Sequence, residues 1–333
     1  MVHNQQTRQQ IDGHLCRLSH QCGWPRWPAV FLTNSRMRQL LATVVVGLAV
    51  VASGSPGTAQ SPASSGVQNR KDSLKFAAIG DNGTGDKPQF EIGAQMSAWR
   101  RKFPFDMVIM LGDNIYGGQT PRDFVDKFEN PYKPLLDAGV LFYAALGNHD
   151  SQTSRFYKLW NMNGARYYAF SKKNVRFFAL DSDYMDPKQL QWIDNELKNA
   201  RDDWKIVYFH HPLYSSGGRH GSEVDLRVTL EPLFVKYGVN VVYSGHDHIY
   251  ERLKPQKGIY YFVSGSGGQL RGGDLKKSAL TEAGYDMDQT FMLNEIDKDE
   301  LFFQVITRTG KTIDAGVITR QPKPKPAETP SQH

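Results

Sequence analysis

The sequence predicts an α/β fold, and three observations carry that expectation. Short β-branched and aromatic runs recur from residue 74 to residue 263, stretches of helical periodicity separate several of them, and glycine-led polar blocks follow the runs as connections at strand ends do. The runs are Leu74–Ile79, Met107–Leu111, Val140–Leu146, Val175–Leu180, Ile206–Phe209, Val239–Tyr243 and Ile259–Val263. Most are nearly continuous in apolar residues, the pattern of strands covered on both faces. Pro187 opens the clearest helix, because a first-turn residue needs no N–H partner. Leu190, Ile193 and Leu197 then fall on one face of it. Weaker helical periodicity covers Phe90–Arg101, Arg122–Leu136 and Val224–Lys236. A late pair, Phe291–Ile296 and Leu301–Thr307, flanks DKDE and reads as an antiparallel hairpin. Without repeat or linker inside it, residues 72–318 are expected to form one domain.

The flanks have a different character. Of 333 residues 40% are apolar and 22% charged, which suits a globular protein and is too apolar for a disordered one. The net charge of +6 is concentrated: residues 1–60 hold Arg8, Arg17, Arg26, Arg36 and Arg38 against Asp12, leaving only +2 for the rest. No nucleic-acid partner is expected from that balance. Leu40–Ala52 is an uncharged run of 13 residues, short of the roughly 20 that span a bilayer. Arg36, Met37 and Arg38 precede it and SGSPGTAQSPASS follows, the pattern of a secretory signal peptide over residues 37–60. Residues 1–36 then read as an upstream extension with translation starting at Met37; a long basic leader or a cytosolic extension also fits. An exported, periplasmic or secreted product is expected. Both cysteines, Cys16 and Cys22, precede the apolar run, so neither a lipid anchor nor a disulfide scaffold is expected. Residues 61–71 read as a flexible lead-in and residues 319–333, ending in QPKPKPAETPSQH, as a disordered tail.

Histidine placement points to a site. Of ten histidines, six lie inside the predicted domain: His149, His210, His211, His220, His246 and His248. Each stands just beyond a predicted strand or in the loop after it, where open α/β sheets bind ligands. The same strand ends carry GDNGTG with Asp81, GDNIYGG with Asp113 and Tyr116, and GNHD with Asn148, His149 and Asp150. Later strands end in HHP and SGHDHIYER. A single GDN is more often a turn, since Asp and Asn hydrogen-bond their own backbone. Five such blocks in series, mixing oxygen and imidazole donors, point to a dinuclear metal site. Without thiolate, the donor set suits zinc, manganese or iron. Two ions about 3.5–4 Å apart need a shared ligand, and Asp113, on a strand that reads as central, is the candidate.

These blocks resemble the calcineurin-like metallophosphoesterases, and more narrowly the purple acid phosphatases, whose motifs read DxG, GDxxY, GNH followed by an acid, VxxH and GHxH. Here they are Asp81-Asn82-Gly83, Gly112-Asp113-Asn114-Ile115-Tyr116, Gly147-Asn148-His149-Asp150, Val207-Tyr208-Phe209-His210 and Gly245-His246-Asp247-His248, in order. The resemblance implies a four-layer αββα sandwich of two mixed sheets flanked by helices, of the small single-domain type, making residues 72–318 a catalytic domain. It implies that Asp81, Tyr116 and His248 hold a ferric ion, and that Asn148, His210 and His246 hold a divalent ion (Fe, Zn or Mn), with Asp113 bridging. Most relatives carry a metal-binding histidine two residues after the first Asp. Gly83 stands there in this chain, and the Tyr116 phenolate would replace it and give the coloured charge-transfer band. His149 and His220 match the family's protonatable histidines near the leaving group, the second by a looser alignment. His211 is either a support for the ligands or structural.

The activity implied is hydrolysis of small phosphate monoesters by a metal-bound hydroxide, with an acidic optimum. The alternatives are a phosphodiesterase acting on cyclic nucleotides or phospholipid head groups, and a non-catalytic binding protein on the same fold. Gly265–Asp274, GSGGQLRGGD, could cradle phosphate or form a flexible loop near the site. Glu251 and Arg252 could pair with each other.

Overall fold

The computed structural model describes residues 66–320. The apolar run at 40–52, both cysteines and residues 321–333 lie outside the described residues, so the signal-peptide and extension expectations are not addressed by it, nor is that of a tail over 319–333 beyond its first two residues, of which Thr319 ends a strand.

In chain order the elements are β1 (Leu74–Ile79), α1 (Lys87–Arg100), β2 (Met107–Leu111), α2 (Pro121–Phe124), α3 (Asn130–Asp137), β3 (Leu141–Ala145), β4 (Tyr168–Lys172), β5 (Val175–Ala179), α4 (Pro187–Asn199) and β6 (Trp204–Tyr208). There follow α5 (Val224–Tyr237), β7 (Val241–Ser244), β8 (Tyr250–Leu253), β9 (Tyr260–Ser264), β10 (Thr281–Tyr285), β11 (Thr290–Asp297), β12 (Glu300–Thr307) and β13 (Thr312–Thr319). Six strands form one sheet in the order β13-β12-β11-β1-β2-β3, and seven form a second in the order β10-β8-β9-β7-β6-β5-β4. Both are mixed: β1-β2-β3 and β5-β6-β7-β9 run parallel, and the remaining pairings are antiparallel.

Three apolar clusters order the layers. The central one joins Phe76, Ile109 and Met292 of the first sheet to Phe177, Ile206 and Phe262 of the second, so the sheets pack face to face. A second cluster covers the other face of the first sheet with Ile92 and Met96 of α1 and Tyr132 and Leu135 of α3. A third covers the second sheet with Ile193 and Leu197 of α4 and Leu230 and Phe234 of α5. Alternate residues of one strand serve different clusters, Phe76 and Ala78 inward and Ala77 and Ile79 outward. This is the expected αββα arrangement, and it explains why the central strands read as continuous apolar runs.

The departures follow the same logic. Strands β4, β8, β10 and β13 were not expected. Three of these lie at sheet edges, and β8 carries Glu251 and Arg252, so none is a continuous apolar run. The predicted pair Glu251–Arg252 does not form. Neighbours on a strand point to opposite faces: Arg252 grips Asp314 at 2.8 and 3.1 Å, while Glu251 accepts from Ser216 N–H at 2.7 Å. The helix expected over Arg122–Leu136 is continuous, but it widens between α2 and α3 through a five-residue π segment (Val125–Glu129). Pro131 lacks the N–H that would reach Lys127, and the Gln89 amide donates to that carbonyl at 2.6 Å instead.

Candidate metal centre

The carboxyl ends of β1, β2, β3, β6 and β7 lie side by side in two facing sheets, and the five polar blocks meet there. Asp81, Asp113 and His246 take the left-handed backbone conformation, with φ of 54°, 53° and 71°. Non-glycine residues rarely do so without a compensating role. The turn lets each chain reverse at once after its strand, so the side chain points along the sheet edge toward the others.

Two groups of donors form. Asp81, Asp113 and His248 make one, each buried; His210, His211 and His246 make the other. In the first, the Tyr116 hydroxyl lies 3.0 Å from Asp81 Oδ1 and 3.1 Å from His248 Nε2. In the second, Asn148 Oδ1 lies 3.0 Å from His210 Nε2 and 3.1 Å from His246 Nδ1, and the two imidazole nitrogens are 3.1 Å apart. Asp113 belongs to the first group, yet its Oδ2 lies 3.4 Å from His210 Nε2 of the second. All seven residues expected as ligands are therefore brought together, with Asp113 between the halves.

Backbone contacts fix these orientations. His210 Nδ1 faces the Leu111 carbonyl at 3.0 Å, so it carries a proton and Nε2 is the nitrogen turned to the site, where a cation would take the place of a second proton. Asp81 Oδ2 accepts the His246 N–H at 2.8 Å, and Asp113 Oδ1 accepts the His149 N–H at 2.8 Å. Each acid thus keeps one oxygen for the backbone and turns the other inward. At Gly83 a Cβ would stand 1.8 Å from the Asn114 carbonyl oxygen. The Tyr116 loop crosses there, its N–H donating to Gly83 O at 2.9 Å. No side chain fits at position 83 while the tyrosine occupies its place.

The electrostatics call for cations. Asp81 and Asp113 are fully buried, and among the described residues their ion-pair partners are histidines only. Burial opposes the Asp113 charge, but His210 and His149 outweigh it and hold the carboxyl below its usual range. Against its own burial, His210 is pushed up to about 10 by Asp113 and Asp81. Burial and the His210 charge push His246 down to about 2 and His211 to about 3. Burial, with Asp81 and Asp113 alongside, drives the Tyr116 phenol upward, so it stays neutral unless positive charge is supplied. Two buried acids, a phenol and imidazole lone pairs converging within 3–3.5 Å fit hard, highly charged ions.

The two expected proton donors sit at the rim. His149 is half exposed, its ring 4.7 Å from Tyr116 and its Nε2 4.0 Å from Asp113 Oδ2. His220 is exposed, its ring 4.3 Å from that of His246. His211 packs against His246 with ring centres 4.3 Å apart and planes tilted by 51°, its Nδ1 on Ser182 Oγ at 2.9 Å and Nε2 3.9 Å from Asp183. The Gly265–Asp274 loop is not a phosphate cradle. Its amides at Gly267, Gly268, Gln269 and Arg271 donate to the carbonyls of Gly80, Asp81 and His248, so the loop buttresses two metal blocks instead of swinging free.

Sequence reasoning gave Asp150 no role, yet it latches two blocks together. Its carboxylate accepts the N–H groups of Asn114, Ile115 and Gly147 at 2.9–3.0 Å and the Asn114 side-chain amide at 2.8 Å. Its position in GNHD was the available signal.

Comparison with known proteins agrees. Human tartrate-resistant acid phosphatase type 5 is 27% identical over 304 residues, covering 75% of this chain and 92% of the relative. Purple acid phosphatase 3 of Arabidopsis thaliana is 29% identical over 269 residues, covering 68% and 73%. Among solved structures, a purple acid phosphatase from yellow lupin (Lupinus luteus) seeds superposes with a TM-score of 0.66 at 19% identity, over 76% of this chain and 55% of that one. GAP50, the anchor in the inner membrane complex of Plasmodium, does so at 0.67 and 20% identity, over 76% and 90%. At such identities these structures testify to the fold alone. The model of the calcineurin-like phosphoesterase family matches residues 74–250, more than half of the chain and all five polar blocks, and the chain belongs to that family.

Proposed function

We propose that the chain is an exported acid phosphatase that hydrolyses small phosphate monoesters at a mixed ferric and divalent metal pair. Asp81, Tyr116 and His248 would hold the ferric ion, Asn148, His210 and His246 would hold the divalent one (Fe, Zn or Mn), and Asp113 would be their shared ligand. The observation that carries this reading is the Tyr116 hydroxyl, 3.0 Å from Asp81 and 3.1 Å from His248. It stands where Gly83 leaves no donor and no room for one. When bound, the ions supply positive charge for the phosphoryl oxygens and an acidified water as nucleophile.

The side chains do the rest. Asp113 holds the two donor groups at a fixed spacing, and Leu111 O keeps His210 Nε2 aimed inward. The rim histidines, His149 beside Tyr116 and His220 beside His246, are the proton donors on this reading. A protonated imidazole there gives its proton to the departing ester oxygen as the P–O bond breaks, so an alcohol leaves instead of an alkoxide. Burial and the nearby Arg271 and Arg219 lower the proton affinity of His220. Its acidic form therefore gives way at a lower pH than in an ordinary histidine, which agrees with an acidic optimum. Relatives named tartrate-resistant and purple acid phosphatases support the substrate class.

The test is metal analysis with a visible spectrum of the purified protein, before and after Tyr116→Phe. Iron and a visible band are expected in the parent, and both should be lost in the variant; a variant that keeps its iron and colour overturns the phenolate. Turnover should favour monoesters over diesters in a matched panel. A diester preference would replace the monoesterase reading, and fully metallated protein with no turnover would end it.

A further inference from the structure

Asp247 stands between two proposed ligands, His246 and His248, and its carboxyl meets the loop 215–221. It is fully buried, and no Lys or Arg pairs with it among the described residues. Instead, both ends of the loop 215–221 converge on its Oδ2. The Ser215 hydroxyl donates to that oxygen at 2.5 Å and the Gly221 N–H at 3.2 Å. Ser215 Oγ in turn accepts the Gly217 N–H at 3.0 Å. The loop lies so close that a Cβ at Gly217 would stand 2.3 Å from the Asp247 carboxyl.

That loop carries His220, whose imidazole meets the ring of His246 and has no hydrogen bond of its own among the described residues. An exposed imidazole without a hydrogen bond keeps its place only if its backbone is fixed. The Gly221 N–H belongs to the peptide that joins it to His220, so the Asp247 carboxylate fixes the peptide plane beside the histidine. We infer that Asp247 is a positioning residue, which acts by clamping the Ser215–Gly221 loop so that His220 stands over the His246 side of the site. One segment, His246-Asp247-His248, thus sets the ligands with its outer residues and the proton donor with its middle one. The inference rests on the proposed role of His220 and names what makes that role possible.

The experiment measures kcat on two monoesters and the bound metal for Asp247→Ala, Asp247→Asn, Ser215→Ala, His220→Ala and the Asp247→Ala/His220→Ala pair. An alkyl phosphate needs a proton at its leaving oxygen, whereas p-nitrophenyl phosphate scarcely does. His220→Ala is expected to lower kcat on the alkyl ester by about 100-fold and much less on the aryl ester. Asp247→Ala should reproduce that unequal loss with both ions retained. In the His220→Ala background it should cost no more than about twofold, since a residue acting through another adds nothing once that other is gone. Asp247→Asn keeps an oxygen acceptor for Ser215 and Gly221 and should recover most of the activity. Ser215→Ala removes one of the two donors and should show a weaker form of the same pattern, which serves if Asp247→Ala does not fold. Additive losses, an equal loss on both esters or loss of metal from folded Asp247→Ala would each overturn the clamp while leaving His220 in place. No effect of His220→Ala on the alkyl ester would overturn the role of His220, and the clamp with it.

Discussion

Two buried acidic clusters in this molecule solve the same problem in opposite ways. Glu231 of α5 lies almost without exposure, and its oxygens are matched inside the chain: Tyr214 OH donates at 2.7 Å, Tyr261 OH at 3.3 Å and Lys257 Nζ at 2.5 Å. At the strand ends Asp81 and Asp113 are as deeply buried, yet they face imidazoles and a phenol and find no Lys or Arg among the described residues. A lone buried charge costs several kcal/mol, so it is retained only where something neutralises it. The first cluster closes its own balance and fastens α5 to the strands beneath. The second leaves its balance open, with donors about 3 Å apart, and that is the difference between a structural ion pair and a site built for cations.

The sharpest way to break this comparison is to remove the residue shared by the two halves. Asp113→Asn is expected to lower kcat/KM by about 10^4-fold, since on the proposed reading it deprives two ions of their common ligand. Metal analysis of the same preparation should show less than the full complement. Glu231→Gln, as the matched control in the closed cluster, should leave turnover and metal content unchanged. If the control lost activity as well, or Asp113→Asn kept both ions and its rate, burial of charge in this fold would carry no functional meaning.

The second effect sharpens the comparison, because Asp150 belongs to neither type. It is buried beside the metal donors but serves four N–H groups instead of a cation. Burial and the neighbouring Asp113 push its carboxyl up to about 7, against the N–H groups of Asn114, Gly147 and Ile115 that favour the charged form. Asp150→Asn turns an amide NH2 toward donors that need acceptors, and about 2–3 kcal/mol of stability should be lost. The GDNIY and GNHD blocks would then be untied from each other. Denaturant unfolding of the metal-loaded protein measures the loss; an unchanged midpoint would show that the latch is dispensable.

Asp150 also marks the boundary of what could be read from the chain. The central strands were legible because strands covered on both faces must be apolar throughout, as β2 is. The place of the site was legible because the chain reverses at strand ends, so donors there converge; which donor would serve which ion followed only from the resemblance to the purple acid phosphatases. Strands such as β8 and β13 were not, since their polar residues are answered by distant partners, Arg252 by Asp314 for example. Nor were the latches. Nothing local separates Asp150 or Asp247 from the acids beside them, and their partners are set by how loops from other strands pack. The glycine-rich stretch at 265–274 misled for the same reason: its composition permits a phosphate cradle, but its amides are engaged by Gly80, Asp81 and His248.

The smallest expected effect lies in the closed cluster and has a definite sign. Burial raises the Glu231 carboxyl, but the bonds from Lys257 and Tyr214 outweigh it and hold its pKa below the ordinary value of 4.5. A depressed native pKa means that the unfolded chain takes up the proton first as pH falls. The contribution is therefore complete above about pH 5 and is lost as pH drops through the ordinary glutamate range toward the lower native value. Glu231→Gln should cost about 1–2 kcal/mol at neutral pH, where the charged acceptor is at full strength. The gap between parent and variant should narrow as pH drops from 5 to 3. Thermal melts of parent and variant across that range, both metal-free so that acid release of metal does not shift them and the open cluster cancels between them, measure it directly. A gap that stayed constant with pH would mean that Lys257 and the tyrosines contribute by packing alone, and the contrast between the two clusters would lose its electrostatic basis.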